Sequence, residues 1–205
     1  VAYGLADGGG RSLELIHPAF ARLSNQCAGA WADSVAVSGT PGQVNSVYTN
    51  YPKPALGDVR HDPPRPFPGS AVTISARVAG RDSDAPDVNV LYRKDTTPPG
   101  AWNILAMSDN GTNGDVTSAD GTFTVRLPPS GSAAMTNGEV LEWRIAVCDP
   151  IGTLTFPATN TAGITNGLSL SYVACFSDDT NYTGEYATYY LVTTATNRSL
   201  LEHQA

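Results

Sequence analysis

Lysine is nearly missing from this chain, with two residues against ten arginines, and glutamate numbers five against fourteen aspartates. Lys and Glu propagate helices, whereas Asp favours turns and caps, so the composition starves helices. Charged residues of all kinds reach only 15%, where about a quarter is usual. The net charge of −7, from 12 basic and 19 acidic residues, leaves no basic footprint for nucleic acid. No apolar run approaches the ~18 residues of a membrane-spanning helix, so no membrane span is expected. Cysteine is scarce and odd in number: Cys27, Cys148 and Cys175 cannot make a disulfide framework, and their spacings match no zinc or redox motif. They read as buried small hydrophobes, with a Cys148–Cys175 bridge as the sharper alternative. No signal peptide is visible and Val1 is not an initiator Met, so the chain is expected to be a mature or excised piece of a longer one.

What fills the gap is 20 Gly, 15 Pro and a dense scatter of Ser, Thr and Asn, around a 41% hydrophobic content that suffices for a core. Helical periodicity is confined to the tail from Thr194 to Gln204. Elsewhere period-two alternation dominates. In Ala71–Val78, Val72, Ile74, Ala76 and Val78 alternate with Thr73, Ser75 and Arg77. Val88–Lys94, Trp102–Met107, Thr122–Leu127 and Glu139–Cys148 follow, with shorter strands at Gly57–Arg60 and Gly152–Phe156. Seven short strands in about 100 residues, separated by turn residues, predict an immunoglobulin-like β-sandwich, though without the Cys…Trp…Cys arrangement of antibody domains. Its expected core is Val72, Ile74, Val90, Tyr92, Phe123, Val125, Leu141, Trp143 and Ile145. The Pro-rich His61–Gly69 cannot be a central strand, because each Pro removes a ladder donor. The flanks read differently. Leu13–Ile16 and Trp31–Val37 are strands before the sandwich, and Leu168–Phe176 and Tyr186–Thr193 are strands after it. Neither pair encloses a core alone.

Three stretches carry a resemblance. Gly10–Pro18 (GRSLELIHP), Trp31–Ser34 (WADS) and Ser38–Asn45 (SGTPGQVN) resemble the end of a bacterial lamin-tail domain, with His17 standing where that family often has Asn. Residues 53–157, through VRHDP, VLYR, MSDNGTNGDVTSADG and WRIAVCD, resemble the immunoglobulin-like (fibronectin-type-III-like) module that often follows it. Residues 169–205, through LSYVACFSDD and YYLVTT, resemble the lead-in to a spore-coat-type kinase domain. The division implied is 1–52, the C-terminal part of a lamin-tail-like domain; 53–157, the sandwich; and 158–205, a linker with strands and a short helix leading into a following domain. The overall class expected is mostly β, a sandwich flanked by partial β domains.

Few residues point to chemistry. His17, His61 and His203 have no second ligand at helical or strand spacing, and are read as turn residues. There is no Gly-x-Ser-x-Gly elbow and no phosphate-cradling Gly loop. The richest stretch is Asp109–Asp120 (DNGTNGDVTSAD). Its Asp109, Asn113, Asp115 and Asp120, with Asn110, offer the oxygen ligands that calcium takes. The spacing departs from the EF-hand loop, and Asx side chains with Gly at positive φ also build a self-capped loop. The self-capped loop is the preferred reading, with calcium as its alternative. The acidic groups Asp82/Asp84/Asp87 and Asp178/Asp179 sit in consecutive loop positions that do not suit a glycosidase pair. Tyr182, Tyr186, Tyr189 and Tyr190 read as an interface strand rather than a sugar platform. Asn110-Gly-Thr, Asn181-Tyr-Thr and Asn197-Arg-Ser are N-glycosylation sequons.

These readings, with the resemblance, predict a non-enzymatic extracellular or cell-surface module for adhesion, spacing or assembly. Its partners would be other protein chains or copies of itself, joined through the flanking strands, with filaments formed by strand exchange. Two alternatives from other classes are an accessory region of a secreted kinase whose catalytic domain lies outside this chain, and a carbohydrate-binding module.

Overall fold

The computed structural model describes residues 4–23, 28–80, 86–149, 152–156, 171–178, 192–195 and 198. Ten strands are present among them. β1 (Arg11–Leu15) and β2 (Trp31–Val37) form an antiparallel ribbon. β3 (Ala55–Asp62), β4 (Val72–Ala79) and β7 (Thr122–Leu127) form one three-stranded sheet, in the order β3-β4-β7. β5 (Asp87–Lys94), β6 (Asn103–Ala106), β8 (Val140–Asp149), β9 (Gly152–Phe156) and β10 (Tyr172–Cys175) form a five-stranded sheet. One apolar core draws on both sheets, so the architecture is a β-sandwich.

The alternation of the sequence explains the core. Val72, Ile74, Ala76 and Val78 of β4 point inward, as do Val88 and Val90 of β5, Val125 and Leu127 of β7, and Leu141, Trp143, Ile145 and Val147 of β8. Each fully buried Val, Ile or Leu contributes about 1.5–3 kcal/mol. Tyr92 and Phe123 pack against this core but stay partly exposed. Met107 and Met135, both outside the strands, are buried in it as well.

β3 keeps its place in the core through an irregularity. Gly57 pairs with Arg77 but Arg60 pairs with Ser75, so one extra residue is inserted. Asp58 takes it up with φ +52. The bulge returns Val59 to the core and turns Arg60 outward. His61 lies on this strand, not in a turn, with its ring edge-on to Trp143 at 6.1 Å.

The free edge of β8 is shared. β9 pairs with Ile145–Asp149, and β10 pairs with Val140–Trp143. β10 was expected in the flank after residue 157, yet it closes the sandwich sheet. Ala174 and Phe176 are buried in its core, and Tyr172 stacks on Trp143 at 4.5 Å. The register also excludes a Cys148–Cys175 bridge. Cys148 sits opposite Asp87 and Thr153, and Cys175 opposite Val140. That is eight residues apart along β8, roughly 27 Å at ~3.4 Å per residue, where a disulfide needs Cα atoms within about 7 Å. Both are thiols. Cys27 lies outside the described residues.

The ribbon joins the sandwich through a second apolar cluster. Phe20, Leu23, Ala30, Ala55 and Ala79 are buried together, with Leu15, Ile16 and Trp31 packed around them. Phe20 stands on a 3₁₀ turn, Pro18–Arg22, whose N-cap is His17: its Nδ1 accepts the Ala19 N–H at 3.2 Å. At the other end only a fragment of the expected C-terminal helix is described. Ala195 and Arg198 are helical, and Arg198 N–H donates to the Thr194 carbonyl at 2.9 Å. Most of Tyr186–Thr193 lies outside the described residues. No described helix is long and apolar enough to cross a membrane.

Candidate functional site

The 109–121 loop leaves the sheet after Ser108, which bridges to Thr124, and returns into β7. It lies against the outer face of β4 and β7. Gly114 approaches β4 so closely, at φ +98, that a Cβ there would stand 2.6 Å from Thr73 Cγ2. Thr124 is buried beneath the loop, and its hydroxyl donates to the Thr112 and Asn113 carbonyls, both at 3.3 Å.

Three of the four residues singled out in the sequence converge. Asp109, Asp115 and Asp120 each place one carboxylate oxygen within 4.8 Å of the others. Asn113 plays a different part: it adopts φ +56 and lines a separate hollow with Leu105, Arg126 and Pro128. The carboxylates are occupied by the loop's own backbone. Asp109 accepts the N–H groups of Asp120 at 3.2 Å and Gly121 at 2.8 Å. Asp115 accepts those of Gly111 at 2.6 Å and Thr117 at 3.2 Å. Asp120 accepts that of Thr122 at 2.8 Å. Five N–H donors thus offset three neighbouring negative charges and hold the loop closed. This favours the self-capped loop over calcium. Chelator is expected to leave the melting temperature unchanged. Asp115→Ala, which strands two N–H groups, is expected to cost about 1–3 kcal/mol by thermal melting with or without calcium.

Beside this loop runs a groove of about 750 Å³. Its floor is hydroxyl-rich, with Thr73, Ser75 and Thr122, and its walls carry Arg60 on one side and Asp115 and Asp120 on the other. His61 opens onto it but is not poised as a base for these hydroxyls. Its Nε2 lies 3.1 Å from the Pro64 carbonyl, while Ser75 Oγ accepts from Arg60 Nε at 3.3 Å.

Two polar sites were not singled out in the sequence. Glu14 of β1 is only 5% exposed. Its Oε1 accepts the Thr40 hydroxyl at 2.6 Å, and its Oε2 accepts the Ser46 hydroxyl and N–H, each at 2.7 Å. This carboxylate therefore ties the GTPGQVNS segment to the ribbon. The Thr40 hydrogen bond above all, with those of Ser46, holds its carboxyl below the ordinary range, against the opposing pull of burial. The folded value is the depressed one, so the contribution is complete above the unfolded value, about 4.3, and disappears as pH falls through the folded value. Thermal melting across acid pH should therefore bring wild type and Glu14→Gln together, after a clear wild-type advantage at neutral pH.

The second site lies on the outer face of the five-stranded sheet. Buried Glu142 accepts both Nε and Nη2 of Arg93 at 2.8 Å. The Arg93 and Arg144 guanidinium carbons stand 4.4 and 4.6 Å from the centre of the Trp102 ring. Burial, and Arg93 beside it, lower the Arg144 proton affinity. The alternation of Arg93, Glu142 and Arg144 on outward positions was visible in the sequence; that Trp102 would fold back over them was not.

The remaining candidates fall elsewhere. Asp87 begins β5 and Asp178 follows β10, while Asp82, Asp84 and Asp179 lie outside the described residues, as do Tyr182, Tyr186, Tyr189, Tyr190 and His203. No family model matches the chain, and no curated protein matches it.

Proposed function

We propose that this chain is a non-catalytic spacing and assembly module of an extracellular surface protein. The observation that carries this reading is the apolar joint of Phe20, Leu23, Ala30, Ala55 and Ala79. A spacer must transmit position from one unit to the next, and a buried joint does so where a solvated linker does not. The assembly half of the reading rests on the ribbon. A two-stranded sheet is marginal by itself, and this one exposes Leu13, Val35 and Val37. Strand exchange through residues 168–176 is the less favoured route, because β10 is already paired with β8 of its own sandwich. The resemblance to lamin-tail and immunoglobulin-like surface modules agrees with the same reading.

Small-angle X-ray scattering combined with sedimentation tests it. The wild-type chain should scatter as one stiff particle, and its mass should rise with concentration. Phe20→Ser should give the profile of two units moving independently while the sandwich still melts cooperatively. Equal profiles for the two chains, or a monomer at every concentration, would refute the joint or the assembly half respectively.

A further inference from the structure

We propose that Asn110–Gly111 is a self-modifying site, at which the folded loop drives conversion of Asn110 to aspartate and isoaspartate. The reaction is attack of a backbone nitrogen on the preceding side-chain amide. It needs a base for the proton on the nucleophile and donors for the oxygen on which charge develops. The loop holds both. Gly111 N–H donates to Asp115 Oδ2 at 2.6 Å, and Asp115 is 8% exposed, so a poorly hydrated carboxylate faces the proton that has to leave. Asn110 Oδ1 accepts the Thr112 N–H at 3.1 Å and the Thr112 hydroxyl at 2.5 Å. These two donors polarise the amide carbonyl under attack. The proton lies in the peptide plane, whereas the attacking electron pair stands perpendicular to it. Base and electrophile therefore do not compete for one side of the nitrogen. Gly111 has no side chain to obstruct ring closure, and Asn110 is exposed to solvent.

The step balances without any oxidant or reductant. The Gly111 nitrogen bonds to Asn110 Cγ as its proton passes to Asp115. The Cγ–Nδ2 bond then breaks, and ammonia leaves with that proton. Water adds to either carbonyl of the resulting five-membered imide and opens it to aspartate or isoaspartate. The product adds a further carboxylate to the loop that already holds Asp109, Asp115 and Asp120. It also erases the acceptor of the Asn110-Gly-Thr sequon.

The chain contains its own control. Asn137–Gly138 is the same dipeptide, but Gly138 N–H donates to the Phe176 carbonyl at 2.8 Å, a group that takes no proton. The full chain is incubated at neutral pH, folded and in denaturant, and Asn110 and Asn137 are followed by enzymatic isoaspartate labelling and by peptide mapping that resolves Asn110 from the Asn113–Gly114 pair in the same loop. In the folded chain Asn110 should convert at least about a hundredfold faster than Asn137, the low end of what a positioned base contributes. Denaturant should abolish the difference. Asp115→Asn should slow Asn110 without changing Asn137, and Thr112→Val, which keeps the N–H donor, should slow it less. Equal folded rates at the two sites would overturn the proposal. So would a faster Asn110 reaction in denaturant, or a faster one in Asp115→Asn, since loosening rather than base catalysis would then set the rate.

Discussion

Trp143→Ala is expected to destabilise the chain by about 3–5 kcal/mol, the range for losing a large aromatic from a core. Trp143 is 1% exposed at the centre of β8, a strand with neighbours along both edges. It is stacked on Tyr172 and meets His61 edge-on, so it joins β8 to both β10 and the facing β3. Its indole N–H has no hydrogen-bond partner among the described residues. Trp143→Phe should therefore recover most of the loss, because the ring volume matters and no N–H bond is given up. Chemical denaturation of the three chains, compared at constant m value, measures both effects.

Phe176→Ala is the second large effect, again about 3–5 kcal/mol. Phe176 is fully buried, its N–H donates to the Glu139 carbonyl at 2.9 Å, and its carbonyl accepts Gly138 N–H at 2.8 Å. The next residue donates its N–H to the Pro66 carbonyl at 3.0 Å, so the segment closes one end of the core beside Met135. Ending the chain at residue 171 removes Tyr172, Ala174 and Phe176 together and opens half of the β8 edge. A truncated chain should melt well below Phe176→Ala, and differential scanning calorimetry of the pair checks the order. Equal melting of the truncated and full chains would mean that β10 contributes nothing to the sandwich.

Most strands from β3 to β9 were legible because β-branched and aromatic residues alternate there with Thr, Ser and Arg. β6 was legible instead from a run apolar on both faces, yet it is an edge strand that leaves Ile104 exposed. The exceptions each have a physical cause. Tyr172, Ala174 and Phe176 alternate just as clearly, but periodicity says which face is buried and not which sheet receives the strand. The β3 bulge was hidden because Asp58 adopts a left-handed φ where Gly or Asn would have signalled it. Met135 sits in a Gly, Ser and Thr loop with no period to mark it as buried. At the loop site, the Asx-rich composition foretold self-capping, and Asp109, Asp115 and Asp120 do converge. The burial of Glu14 could not be read, because its hydroxyl donors Thr40 and Ser46 lie 26 and 32 residues downstream.

The shared edge of β8 has a mechanical consequence. β9 follows β8 in a tight hairpin, while β10 arrives separately to occupy the other half of the same edge. A pull applied to the chain beyond Asp178 would load β10 and the Phe176 anchor first. If they tore away, β9 would remain zipped to the far half of β8 and the facing sheet would keep its own hydrogen bonds. A sandwich built this way is expected to yield in two stages, giving up a short length of chain before the main body unravels.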